Sequence, residues 1–348
     1  MVPSPSAGEG LDGHEALPAS RRGGAEMPAG RFPHRVLPAG EALDAIEGFL
    51  SRGPRHWFID VESPTRLLLS GAVEVVVSIQ TPYQHLDILR AEGYGLCLVL
   101  DGRMQLAESD EFIYHELLIH PACVLHGAPR RALVIGGGDG CAARELIRYP
   151  CLERVVVVDI DQEILSSFRD RFCSLNRGAL RDPRVQLVCA DAWAFLQEDT
   201  RPYDLIISDL TEPYDAQARQ GSLSSHLYSS RFYSLIADRL APGGIFVCQT
   251  GGVLFQPHHD RFHLEILAGL QGHFPNIRTC YEYIPSFAEL WGVTLSSRRD
   301  LQIAPEQVDD RLAKAQISGL RYYDGMSHQR AFTAPRELRL HGSCLPGI

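Results

Sequence analysis

Ala132-Leu133-Val134-Ile135-Gly136-Gly137-Gly138-Asp139-Gly140-Cys141-Ala142 is the stretch that decides the fold of this 348-residue chain. A short, unbroken apolar run suits a strand covered on both faces, and glycines directly after it let the backbone turn tightly into a helix. The pattern then recurs. Apolar runs at 155–158, 185–188, 205–207 and 245–247 alternate with helical stretches at 142–148, 162–171, 192–196 and 229–239. Such alternation implies right-handed βαβ crossovers and a doubly wound parallel sheet, an α/β Rossmann-like domain assigned to residues 110–348.

Upstream, short β-favouring runs at 73–79, 86–89, 96–100 and 104–107 are separated by turn residues such as Asp101-Gly102, which reads as a small antiparallel β domain over residues 36–109. Residues 1–35 are rich in Gly, Pro, Ala and Ser without hydrophobic period and read as a disordered leader.

Composition narrows the chemistry. With 33 Lys+Arg against 43 Asp+Glu, the formal charge is −10, the wrong sign for covering nucleic-acid phosphates or docking on anionic lipid. Lys314 is the only lysine, so no P-loop lysine accompanies the glycine loop, and a Schiff base has no supported candidate. Nine cysteines, an odd number without a CxxC, read as reduced fillers of a cytoplasmic protein. No apolar stretch approaches the ~18 residues of a membrane span.

In doubly wound sheets ligands bind at the carboxyl ends of the strands. After the glycine loop, with Gly136 and Gly138 able to approach a ligand, the next strand ends at Asp159-Ile160, 21 residues beyond Gly138, where an acid can accept both ribose hydroxyls. The third ends at Ala190-Asp191-Ala192, suited to an exocyclic amine such as that of adenine. Together these describe a nucleoside site; the plain alternative is tight-turn glycines and helix-capping aspartates without a ligand. Asp139 indicates which nucleoside. An anionic tail there would meet repulsion of ~4 kcal/mol at 4 Å and an effective dielectric of 20, which disfavours NAD and ordinary S-adenosylmethionine and favours an ammonium tail. The fourth strand ends in Asp209-Leu210-Thr211-Glu212-Pro213. Two carboxylates three residues apart can hold a polycation or take its proton, and Asp209 reads equally as a turn cap before Pro213.

The run Leu98-Val99-Leu100-Asp101-Gly102, Gln105, Asp110-Glu111-Phe112-Ile113-Tyr114-His115-Glu116, the glycine loop with Arg144-Glu145, Val158-Asp159-Ile160-Asp161, Asp209, Gln249-Thr250, Trp291-Gly292 and Tyr322-Tyr323-Asp324 resembles the spermidine synthase (polyamine aminopropyltransferase) family over residues 55 to 335. The resemblance implies a small β domain before a methyltransferase-like Rossmann domain, and transfer of the aminopropyl group of decarboxylated S-adenosylmethionine to a polyamine. It implies no metal and no further cofactor, and a homodimer. Asp139 would bind the donor ammonium, Gln84 and Asp159 the nucleoside and ribose, and Asp191 the adenine, with His115 lining the pocket. Tyr114 and Asp209 would orient and deprotonate the attacking amine. Glu212, with Gln105, Phe287 and Trp291, would line the acceptor side.

Departures concentrate on the acceptor. Glu212 stands where the family carries Asp, Tyr214-Asp215-Ala216-Gln217 replaces Gly-Pro, and residues 219–225 read as an insertion. Ile284-Pro285-Ser286-Phe287 lacks the usual Tyr hydroxyl, and Asp159 replaces the usual Glu of the ribose site. Pro-Ser-Phe-Ala with Trp-Gly is similar to thermospermine-type synthases, whose acceptor is spermidine, so putrescine is preferred only narrowly. A methyltransferase and a catalytically silent polyamine or nucleoside binder are the other readings. A metal reading of His258, His259 and His263 lacks the glutamate of an HExxH pattern and is set aside.

Overall fold

The computed structural model describes residues 39–51, 53, 56–63, 66–212, 224–253, 261–336 and 338–339, so the expected leader at 1–35 lies outside the described residues. The chain divides into two compact units, residues 1–53 and 54–348. In the first, residues 39–50 form helix α1 (Ala39–Leu50). The β domain expected from residue 36 therefore begins later than the sequence suggested.

The second unit opens with an antiparallel five-stranded sheet, β1 (His56–Ser63), β2 (Arg66–Gln80), β3 (His85–Ala91), β4 (Gly95–Leu100) and β5 (Arg103–Ala107), paired in chain order. The sequence reading missed β1, whose apolar run Trp57-Phe58-Ile59 is cut short by Asp60. That carboxylate is turned inward, 5 % exposed, and accepts the Met104 N–H at 3.4 Å. Helix α2 (Glu111–His126) follows and is buried on nearly every side from Tyr114 to Leu125. A helix covered all round has no polar face to betray its 3.6-residue period.

The larger sheet begins with β6 (Arg131–Gly136), α3 (Cys141–Leu146), β7 (Arg154–Asp159), α4 (Gln162–Asp170), β8 (Val185–Cys189), α5 (Ala192–Glu198) and β9 (Tyr203–Asp209). It continues through α6 (Ser230–Arg239), β10 (Leu240–Val253), α7 (Arg261–Gln271), β11 (Asn276–Ile284) and β12 (Glu289–Ser297), before helices α8 (Pro305–Lys314) and α9 (Gly325–Ala331). Strand order is β11-β12-β10-β9-β6-β7-β8. The five strands β6 to β10 are parallel, as expected. Strands β11 and β12 pair antiparallel beside β10, an edge addition that the reading of an all-parallel sheet missed.

Alternation along each inner strand feeds two cores. Ala132, Val134, Val155 and Val157 pack with α2 and α3 on one face, whereas Leu133, Ile135, Val156 and Val158 pack with α6 and α7 on the other. All are at most 1 % exposed, and each such Val or Leu contributes about 1.5–3 kcal/mol by leaving water. After β8 the chain returns to the opposite side of β6, which puts Gly136 in register with Asp209. That reversal of strand order is the switch point where a crevice opens.

Among the described residues no helix is long and apolar enough to cross a membrane. Eight cysteines there are free, five of them buried, while Cys344 lies outside the described residues.

Candidate active site

The glycine loop has the form its sequence demands. Gly136, Gly137 and Gly140 take φ of 75°, 63° and 82°, a region that side chains disfavour. The Gly137 N–H donates to Asp209 O at 3.1 Å, which joins the loop to the end of β9. Gly138 is required by space: a Cβ there would lie 2.6 Å from Asp159 Oδ2 and 2.9 Å from Ile164 Cγ2. Gly138→Ala is therefore expected to destabilise the fold by about 1–3 kcal/mol, the usual cost of forcing a methyl group into a space already filled. Denaturant unfolding checks this, and an unchanged midpoint would mean that Asp159 and Ile164 give way freely.

Asp159 ends β7 with both oxygens engaged, Oδ2 by the Gly138 N–H at 3.1 Å and Oδ1 by the Asp161 N–H at 2.9 Å. Burial pushes its carboxyl up to about 6 against the pull of those two hydrogen bonds. Asp161 caps α4 and also accepts from Thr81 Oγ1 at 2.7 Å and Gln84 Nε2 at 3.1 Å, so the β2–β3 turn is tied to the end of β7. Gln84 thus reaches the site with its amide nitrogen already committed. Asp191 caps α5 through Oδ1, which accepts the Ala194 N–H at 2.9 Å, and its Oδ2 lies 3.3 Å from His226 Nε2. It serves as the helix cap of the plain alternative and still lines the crevice, beside Ala192.

Asp209 Oδ1 accepts the Tyr114 hydroxyl at 2.7 Å. Its Oδ2 is buried without a hydrogen-bond partner among the described residues. Burial raises the carboxyl to about 6; His115 opposes this, Asp139 reinforces it and Tyr114 opposes it. Asp139 Oδ1 accepts the Cys141 N–H at 2.8 Å and lies 3.8 Å from His115 Nε2. Asp139, Asp209 and a His115 ring nitrogen all lie within 4.8 Å of one another, close enough to surround one small cation such as an ammonium group. Glu111, His115 and Cys141 are equally close, but the Arg144 guanidinium already fills that place, at 2.8 and 2.9 Å from the Glu111 oxygens.

The residues assigned from the sequence to the nucleoside, the proton transfer and the acceptor all line one cavity of about 520 Å³: Gln84, Gln105, Tyr114, His115, Gly136, Gly138, Asp139, Asp159, Ile160, Asp191, Ala192, Asp209, Glu212, Phe287 and Trp291. Phe287 and Trp291 form an aromatic wall, ring centroids 4.8 Å apart, with Tyr114 6.1 Å from Phe287. The Asp110 carboxylate at the start of α2 accepts the Ser286 N–H at 2.7 Å and hydroxyl at 2.9 Å, which fixes that wall against the helix bearing Tyr114. Among the described residues, seven acidic ones line the cavity (Asp60, Asp101, Asp139, Asp159, Asp191, Asp209, Glu212) against one arginine, Arg103. Such a lining selects positive ligands.

Sequence reasoning missed Asp60, His226 and the support of the Asp209 turn. Gln249 Nε2 donates to Leu210 O at 2.8 Å, while Tyr228 and Ser224 hydroxyls donate to Thr211 O at 3.2 and 3.0 Å. Gln249 was visible only as part of the family pattern, since nothing local marks a side chain that braces a distant carbonyl. His263 is no metal ligand: Thr250 and Tyr281 hydroxyls engage its two nitrogens at 3.0 Å each, and burial holds the ring down to about 4. His258 and His259, Pro213, the segment 214–217 and most of the expected insertion lie outside the described residues.

The family model of the Spermine/spermidine synthase domain matches residues 111–304, and that of the Spermidine synthase tetramerisation domain matches residues 56–108. The chain belongs to the spermine/spermidine synthase family. Polyamine aminopropyltransferase of Aeropyrum pernix is 34% identical over 288 residues, which are 81% of this chain and 89% of that protein. Thermospermine synthase ACAULIS5 of Arabidopsis thaliana is 35% identical over 289 residues, 82% of each. A spermidine synthase solved in complex with the transition state analogue AdoDATO superposes with a TM-score of 0.75 at 25% identity, covering 84% of this chain and 96% of that one. As a polyamine aminopropyltransferase by family, the chain is an enzyme of the spermidine synthase type.

Proposed function

We propose that the protein transfers the aminopropyl group of decarboxylated S-adenosylmethionine to putrescine, giving spermidine and methylthioadenosine. The observation that carries this reading is the presence of Asp139 and Asp209 in one acid-lined cavity with Asp159 and Asp191. Asp159 and Gln84 hold the nucleoside and ribose, Asp191 and Ala192 the adenine, and Gly136, Gly138 and Ile160 form the floor. Asp139 holds the ammonium of the aminopropyl group. An acceptor amine with a lysine-like pKa near ~10.4 arrives protonated and has no lone pair. Asp209, oriented by Tyr114, takes that proton. The freed nitrogen forms a bond to the methylene carbon as the C–S bond breaks and its electron pair returns to sulfur. The sulfonium is already a good leaving group, so the reaction calls for no metal or redox cofactor. Glu212, Gln105, Phe287 and Trp291 hold the rest of the acceptor. We also propose that copies of the chain associate, with a homodimer as the minimal unit, and that the enzyme works in the cytoplasm.

A second reading, with spermidine or another longer amine as acceptor, is supported by three observations. Phe287 offers no hydroxyl, Asp60 adds a further carboxylate to the cavity, and the thermospermine synthase relative is 35% identical. Chromatography of products with putrescine, cadaverine and spermidine in competition decides between them. Spermidine as the main product is expected, and elongation of spermidine instead would establish the second reading. Methylthioadenosine should form from the decarboxylated donor and not from S-adenosylmethionine; its absence with every amine would leave a silent binder.

A further inference from the structure

His115 holds its ring in a fixed protonation geometry. Nδ1 lies 2.9 Å from both Glu111 O and Glu111 Oε2. Both are acceptors, so Nδ1 carries a hydrogen at all times. Glu111 cannot turn away, because Arg144 grips both of its oxygens. Only the proton on Nε2 can come and go, and Nε2 looks onto Asp139 at 3.8 Å in the place where Asp139 and Asp209 converge.

The groups facing the ring are Glu111 and Tyr114 from α2, Asp139 from the glycine loop, Cys141 and Arg144 from α3, and Asp209 from β9. Burial keeps the Tyr114 hydroxyl and the Cys141 thiol protonated, so neither adds charge at neutral pH. Arg144 is shared between Glu111 and Glu145. The ring therefore faces three carboxylates, with its Nε2 3.8 Å from Asp139 Oδ1. Burial works against its charge, but the Glu111 hydrogen bond, then the charges of Glu111, Asp139 and Asp209, hold it up to about 9.

The donor in the proposed reaction carries two positive charges, an ammonium and a sulfonium, into this same place. We infer that the His115 imidazolium is a resident counter-cation of the empty donor site, and that binding of the cationic donor expels its Nε2 proton to the buffer. The neutral ring then presents a lone pair to the ammonium group in place of a like charge. Methylthioadenosine is uncharged and fits the nucleoside part alone, so it leaves the proton where it was. After transfer, departure of the positively charged product lets His115 recharge. This inference rests on the proposed reaction.

Calorimetric titration near pH 8, in two buffers of different ionisation heat, counts the protons released. At that pH the Asp159 and Asp209 carboxyls, both pushed to about 6, are already ionised, so a proton released on binding comes from His115. Release approaching one proton per decarboxylated S-adenosylmethionine is expected, with none on methylthioadenosine binding. His115→Gln should abolish the release and still bind methylthioadenosine, which also reports that the variant is folded; the wild-type contrast between the two ligands decides by itself should it not be. Equal proton counts for both ligands, or undiminished release in a folded His115→Gln, would overturn the inference alone. Failure of both ligands to bind would overturn the proposed reaction and this inference with it.

Discussion

Asp209→Asn lowers aminopropyl transfer by about 10²–10⁴-fold, the range a positioned general base contributes, and leaves methylthioadenosine affinity unchanged. The replacement keeps shape and can still accept the Tyr114 hydroxyl, bonded at 2.7 Å in the native site. It loses the capacity to take a proton, together with the negative charge that Asp209 adds beside Asp139 and His115. The wild-type pH profile carries the same signature. With its carboxyl pushed up to about 6, Asp209 is protonated and idle at lower pH, so kcat/KM falls as pH drops through about 6, above the usual range of an aspartate. Stability moves the other way. A carboxyl raised by folding favours the folded chain below its unfolded value near 4, and that advantage disappears as pH rises through 6. The Asn variant should therefore melt no lower than wild type at neutral pH. Retained turnover, measured as methylthioadenosine release, would remove Asp209 as the base, and a lower melting temperature would mark the loss as structural.

Arg144→Met should destabilise the second unit by about 3–5 kcal/mol, because it strips the shared partner from two buried carboxylates and leaves their charge uncompensated. Arg144 is 6 % exposed, Glu111 8 % and Glu145 2 %, and the guanidinium also donates to Leu175 O at 2.7 Å. Burial alone would raise both glutamates. Hydrogen bonds from His115 to Glu111 and from His120 to Glu145, together with Arg144, more than reverse this and hold each near 2. The stabilisation is therefore present above pH ~4.5 and is lost as pH falls toward 2. Denaturant unfolding at neutral pH reads the difference, and a change below about 1 kcal/mol would mean that the histidines carry the network without the arginine. Since Glu111 is also the partner of His115, the variant should blunt the proton release expected on donor binding.

The cluster was only partly legible beforehand. Arg144-Glu145 and Tyr114-His115 were visible as a family pattern, and the strand ends at Asp159, Asp191 and Asp209 followed from alternation alone. The ladder from His120 through Glu145, Arg144 and Glu111 to His115 was not, since charged residues inside a helix read as solvent-facing unless the partners that bury them are known. Helix α2 was hidden because burial on nearly every side leaves it no polar face, and the antiparallel pair β11–β12 because its strands carry Arg278, Glu282 and Glu289 among their apolar residues.

The sequence by itself determined the doubly wound sheet, the glycine turn and the acids at the strand ends, because these depend on spacing along one chain: period, turn chemistry and the rule that ligands meet the carboxyl ends of parallel strands. Only the tertiary structure decided that Asp139, His115 and Asp209 share one cation-sized space, that Gln249 and Tyr228 brace the Asp209 turn, and that Asp60 joins the cavity from β1. Those depend on distances between segments far apart in the chain, and on burial, which shifts the protonation of the groups brought together.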